Sequence, residues 1–193
     1  MTTSPASSSS SSSSDGRGAA ARARSESRGL RVDPGLRAEL DALYADYAAA
    51  LDEGRWDDWI ALFADDGSYL LQPRENHDRG LPLATMWLES TGMLRDRIHG
   101  ITQTLFHAPY YQRHVIGPLR VIALDTADGR ERIDVQAAYA VHRTRVHAPS
   151  EVFSVGRYLD RVVRDPADGL LRFSAKRAIF DSENVPNSVV YPI

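Results

Sequence analysis

The first half of the chain carries apolar residues at helical spacing. Leu36, Leu40, Leu43, Tyr44, Tyr47 and Leu51 recur every three or four positions, one stripe of an amphipathic helix. Asp33-Pro34 supplies an N-cap and a proline at the first helical position, and Gly54 ends the run. Trp56, Trp59, Ile60 and Phe63 share one side of a second, short helix. Asp57 and Asp58 in its first turn suit the helix dipole, and the helix is expected to stop at Asp65-Asp66-Gly67. Ser68 to Gln72 reads as a strand halted by Pro73. A third helix is expected from about Ser90 to Ile98, capped by Ser90 or Thr91.

After these helices the period falls from 3.6 to 2, the mark of a sheet. Leu119 to Leu124 is one strand, and a turn at Asp128-Gly129 leads into the next. There Ile133, Val135, Ala137, Tyr139 and Val141 alternate with Asp134, Gln136, Ala138, Ala140 and His142, as in a half-buried strand. Val152–Val163 and Leu170–Phe180 follow, joined by the turn Asp165-Pro166-Ala167-Asp168-Gly169. Helices first and an antiparallel meander after them predict an α+β domain, with the helices laid across one face of a curved sheet.

Residues 1–31 do not join this pattern. They are Ser, Ala, Gly and Arg, with an unbroken Ser7–Ser14, and offer almost nothing apolar to bury. A disordered Ser/Arg-rich leader is expected there, followed by one domain over 32–193. A transit-peptide reading is weaker, because the leader shows no amphipathic periodicity. The leader's five Arg against Asp15 and Glu26 give it +3; with a formal net charge of -3, the remainder is -3 minus +3, or -6. A folded part this acidic is a poor binder of nucleic acid. No run approaches the roughly 20 apolar residues of a membrane span, so the expectation is a soluble cytoplasmic chain. Cysteine is absent, which excludes disulfides, thiolate nucleophiles and cysteine-ligated clusters on this chain.

No phosphate loop, nucleophile elbow or His-Glu-x-x-His helix occurs. His142 and His147 have a spacing seen in iron ligands, but on a continuous strand they face opposite sides. His99 and His107 flank an expected loop beginning at Gly100 and read as surface polar residues. His77, in the polar stretch Arg74–Gly80, and His114, at the expected start of a strand, are the histidines of most interest. Paired with Asp46 or Asp65 beside Tyr44 and Tyr47, either makes an acid–base site inside a cone. The competing reading of Arg74–Arg79 is an ionic network that pairs with another chain. Trp56, Trp59 and Phe63 are expected in the core.

Several segments resemble the β (small) subunits of aromatic-ring-hydroxylating dioxygenases. In order they are Leu51–Trp56, Ala61–Asp66, Pro73–Asn76, Arg79–Leu83, Met93–Arg97, Arg113-His114, Gly156–Asp160 and Asp181–Asn187. Within that family, Pro73–Leu83, Tyr110–His114 and Tyr191-Pro192-Ile193 are most similar to the small subunits of salicylate 5-hydroxylases, with terephthalate dioxygenases next. The resemblance implies a cone of the nuclear-transport-factor-2 type, also described as SnoaL-like, and an α3β3 assembly. It implies no catalytic, cofactor or metal residue on this chain. The Rieske [2Fe-2S] cluster and mononuclear Fe(II) would sit on the α (large) subunit, fed with NADH-derived electrons through a reductase and a ferredoxin. Arg74, Glu75, Arg79, Arg95, Asp96, Arg97, Arg113 and His114 are the residues expected at contacts with the α subunit and with further copies of this chain. The alternative is a free-standing dehydratase, isomerase or cyclase of the same cone fold, using Asp46, Asp65, His77 and His114.

Overall fold

A computed structural model describes residues 29–127, 129–182 and 189–193. The Ser-rich leader through residue 28, Asp128 of the expected turn and most of the Asp181–Asn187 segment lie outside the described residues.

Helix α1 (Pro34–Glu53) follows the predicted stripe, with Leu36, Leu40, Leu43, Tyr44, Tyr47 and Leu51 all buried. The Asp33 carboxylate accepts from the backbone N–H groups of Gly35 and Leu36, and Gly54 closes the helix at φ 67°, a left-handed angle that glycine adopts without penalty. Upstream, the Leu30 N–H donates to Val121 O at 2.7 Å, so the packed chain begins before the cap. Helix α2 (Trp56–Ala61) is shorter than expected. Phe63 belongs to strand β1 (Phe63–Pro73), and Asp65-Asp66-Gly67 is a bulge inside that strand rather than a helix stop. A Cβ at Gly67 would lie 2.7 Å from Ala64 O, which is why the bulge takes glycine.

Two short elements carry no periodic signal of their own: α3 (Arg74–Asp78), directly after Pro73, and strand β2 (Met86–Leu88). Helix α4 (Thr91–His99) is capped by Ser90, whose hydroxyl accepts from the Met93 N–H. Instead of opening into a loop at Gly100, the chain continues as a π-turn, Gly100–Thr104. Strands β3 (Tyr110–Ile116), β4 (Arg120–Ala127), β5 (Arg130–Arg145), β6 (Glu151–Arg164) and β7 (Leu171–Phe180) complete the chain. His114 is therefore inside β3, not at its start.

The sheet runs β2-β1-β7-β6-β5-β3, with β4 also paired to β5. It is mixed: β1 and β7 are parallel, and the other pairs are antiparallel. Strand β5 is long enough to pair β4 with its first half and β3 with its second. Register shifts at Phe63/Ser68, Val121/Ala123, Val141/His142 and Arg161/Val162 bend the sheet, because each bulge adds twist to one strand of a pair. Gly156 sits where β6 presses on β7; a Cβ there would lie 2.0 Å from Ile179 O. The concave face holds the core: the α1 stripe packs against Ile133, Val135, Val141, Tyr158, Val162 and Phe173.

A filled cone and a charged outer turn

The concavity is occupied by side chains. Trp59, Tyr47, Tyr69, Tyr158 and Phe173 are fully buried in it. Tyr47 meets Tyr158 and Phe173 edge-on at 6.1 and 5.5 Å, and Tyr139 stacks on Tyr158 at 4.4 Å. In their midst Lys176 and Asp160 form an ion pair of 2.8 Å with both side chains 0% exposed. Asp160 also accepts from the Tyr44 hydroxyl at 2.6 Å and the Arg177 N–H at 2.9 Å. The ammonium rests 3.0 Å from the centre of the Tyr158 ring and 4.5 Å from that of Tyr47, a desolvated cation–π arrangement.

Burial pulls the Lys176 ammonium down from 10.5 to about 8, against the opposing pull of Asp160. Burial pushes the hydroxyls of Tyr44, Tyr47 and Tyr158 well above 10, with the negative field of Asp160 adding to the effect. These phenols are neutral at physiological pH, and those of Tyr44 and Tyr47 donate to Asp160 and to Ile193 O.

A second buried pair joins α1 to β3. Asp52 accepts from the His114 N–H at 3.1 Å, and its Oδ1 lies 2.6 Å from His114 Nδ1. The exposed Arg113 guanidinium reaches the same carboxylate at 3.5 Å. His114 therefore pairs with Asp52, not with Asp46 or Asp65. Asp46 lies on the exposed side of α1 and Asp65 in the exposed β1 bulge, while His77 is half-buried on α3. No hydrogen bond among the described residues joins any two of Asp46, Asp65, His77 and His114, so the predicted constellation is not assembled. His142 lies within β5, whereas His147 lies beyond its end at φ 62°. No cluster of three or more His, Asp or Glu able to hold a metal occurs among the described residues.

The charged outer turn is α3. Arg79 pairs with Glu75 at 2.8 Å and Arg74 with Asp78 at 3.4 Å. Arg157 on β6 also reaches Asp78, at 3.1 Å, and Arg74 reaches Asp181 at 3.3 Å. Five of these six side chains are exposed, and that of Arg157 is half-buried. Arg95 and Asp96 are exposed on α4, where Arg95 borders a cleft of about 440 Å³ together with Asp57, Asp65 and Arg172. Two of the predicted contact residues are turned inward instead. Arg97 spends its guanidinium on the carbonyls of Val189 and Val190. The His114 side chain is 0% exposed, because β3 alternation and the Asp52 carboxylate both draw it inside.

Sequence reasoning missed Asp52, Asp160 and Lys176. Asp160 was open to it, since Tyr158, Asp160 and Val162 alternate on one face of β6. Lys176 was not. Strict alternation from Leu171 and Phe173 points it outward, and the irregularity near Ala175 reverses the parity.

A curved mixed sheet packed over an N-terminal helix is the architecture of a SnoaL-like domain. The family model described as SnoaL-like domain matches residues 36–177. The small subunit of anthranilate 1,2-dioxygenase from Burkholderia cepacia is 36% identical over 80% of this chain and 92% of that one. A β subunit of the terephthalate 1,2-dioxygenase terminal oxygenase from Comamonas is 27% identical over 80% and 97%. The solved β subunit of an aromatic-ring-hydroxylating dioxygenase from Novosphingobium aromaticivorans superposes with a TM-score of 0.69 at 30% identity, covering 82% of this chain and 97% of that one. The chain belongs to the family of small subunits of aromatic-ring-hydroxylating dioxygenases.

A Rieske cluster needs two thiolates, and this chain has no cysteine to give. The described residues supply no 2-His-1-carboxylate set for a mononuclear iron either. The donor set fits neither group.

Proposed function

We propose that this chain is the structural β subunit of an oxygenase that hydroxylates a benzoate-type aromatic acid, with salicylate converted to gentisate as the leading case. The α subunit carries the Rieske [2Fe-2S] cluster and mononuclear Fe(II), and three copies of each chain form an α3β3 cytoplasmic assembly. A reductase and a ferredoxin deliver electrons from NADH to the α chain, which activates O₂.

The observation that carries this reading is the filled cone: the space where an acid–base enzyme of this fold would receive substrate is closed by Tyr47, Tyr69, Tyr158 and the Asp160–Lys176 pair. The named substrates of the two curated relatives, anthranilate and terephthalate, are both ring carboxylates, in keeping with a benzoate-type substrate. Arg74, Glu75, Arg79, Arg95, Asp96 and Arg113 remain the surface candidates for partner contacts. The Asp52–His114 pair has the form of a base held by a carboxylate and so favours a free-standing enzyme, yet its ring has no exposed surface through which to meet a substrate.

The test is a salicylate hydroxylation assay with NADH and the electron-transfer proteins. Gentisate formation is expected when this chain is co-expressed with its α subunit, and none from this chain alone. Full turnover by the α subunit without this chain would overturn the structural role, and turnover by this chain alone would restore the free-standing reading.

A further inference from the structure

The segment Val189–Ile193 lies in the mouth of the cone and is bound there as a ligand would be. Ile193 is 1% exposed. The Tyr47 and Tyr69 hydroxyls donate to the main-chain oxygen of Ile193 at 2.7 and 3.2 Å, and the Ile193 N–H donates to Tyr69 at 2.8 Å. Gln112 Nε2 lies 3.5 Å from Pro192 O, and Tyr191 N–H donates to Tyr110 at 3.4 Å. Arg97 clamps the carbonyls of Val189 and Val190.

Two neutral phenols converging on one oxygen inside an aromatic wall form a donor pair that suits a carboxylate or carbonyl. Three further polar atoms in the same interior are buried with no hydrogen-bond partner among the described residues: Gln112 Oε1, His114 Nε2 and Tyr158 OH. Gln112 and His114 share the inner face of β3, and the Tyr47 ring abuts both His114 and Tyr158, at 6.3 and 6.1 Å. Buried polar atoms are as a rule hydrogen-bonded, so their grouping beside the segment marks an interior suited to a polar ligand.

We propose that the cone retains a binding site for a small hydrophobic carboxylic acid, and that Val189–Ile193 occupies it as a tethered competitor. The acid would place its apolar body where the Ile193 side chain packs and its oxygen on Tyr47 and Tyr69. The inference goes beyond the subunit role and does not depend on which acid the α chain hydroxylates. A tether holds its segment at an effective concentration on the order of millimolar, so a free acid binds the intact chain weakly.

The test is a ¹⁹F NMR titration with 4-fluorobenzoate of the full chain, of R97A, and of the chain lacking residues 189–193. The deletion is expected to bind at least tenfold more tightly than the full chain, with R97A between them, and Y47F/Y69F in the deletion background should remove the gain. A synthetic Val-Val-Tyr-Pro-Ile peptide should displace the probe. A folded deletion, by circular dichroism, that binds no better than the full chain overturns the proposal. If the deletion does not fold, the R97A/I193G chain decides: affinity equal to that of the full chain overturns the proposal, and a saturable gain supports it.

Discussion

The ion pair inside the cone and the ionic network on α3 use the same chemistry at nearly the same distances to opposite ends. Lys176 and Asp160 meet at 2.8 Å with neither side chain exposed. Arg74 and Arg157 meet Asp78 at 3.4 and 3.1 Å with the carboxylate about half exposed. Water screens the outer pairs, and such pairs are worth about 0–1 kcal/mol. The inner pair has no water to fall back on, so each partner is committed to the other and to the Tyr44 and Arg177 donors around it. Interior charge here is tied to one packing of helix on sheet, whereas exterior charge is held by water-screened pairs.

The largest effect should come from D160A, which strands the buried ammonium. Breaking such a pair costs about 3–5 kcal/mol, read as a fall in the urea midpoint. Y44F removes one hydrogen bond to a charged group and should cost about 1.5–3 kcal/mol in the same assay. A pH series is subtler. From about 8 up to 10.5 the unfolded chain holds a proton on residue 176 that the folded chain has released, so unfolding free energy rises with pH across that window and is lost again as pH falls towards 8. Above 10 the buried tyrosines oppose this, since they ionise only in the unfolded chain. The clean comparison is therefore wild type against K176M between pH 8 and 10, where the variant should lack the rise. The smallest effect on stability belongs to R74A, expected at no more than about 1 kcal/mol. In a pull-down with the α subunit the same variant should nevertheless lose affinity. If R74A unfolds the chain as D160A does, the distinction between committed and available charge fails.

Much of the fold was legible because it rests on period and punctuation. The α1 stripe, its Asp33 cap, the Gly54 stop and the β5 alternation are local signals, and the structure follows each of them. What was hidden depends on contacts distant in sequence. Helix α3 and strand β2 are too short to show a period, and Phe63 changes element because β1 pairs in parallel with β7, more than a hundred residues away. The site was less legible for the same reason. His114 was noticed, but its partner Asp52 is set by how α1 crosses β3, and Lys176 turns inward only because β7 is irregular. The charged motif at Arg74–Arg79 was visible as composition, and its internal pairing with Arg157 and Asp181 was not.

The most direct measurement is the native mass of this chain co-expressed with an α subunit of the family. A single large complex with the two chains in equal number is expected, its iron–sulfur absorption lost when the α chain is omitted. Two chains that elute apart, with this one a stable species showing its own turnover of an aromatic acid, would contradict it.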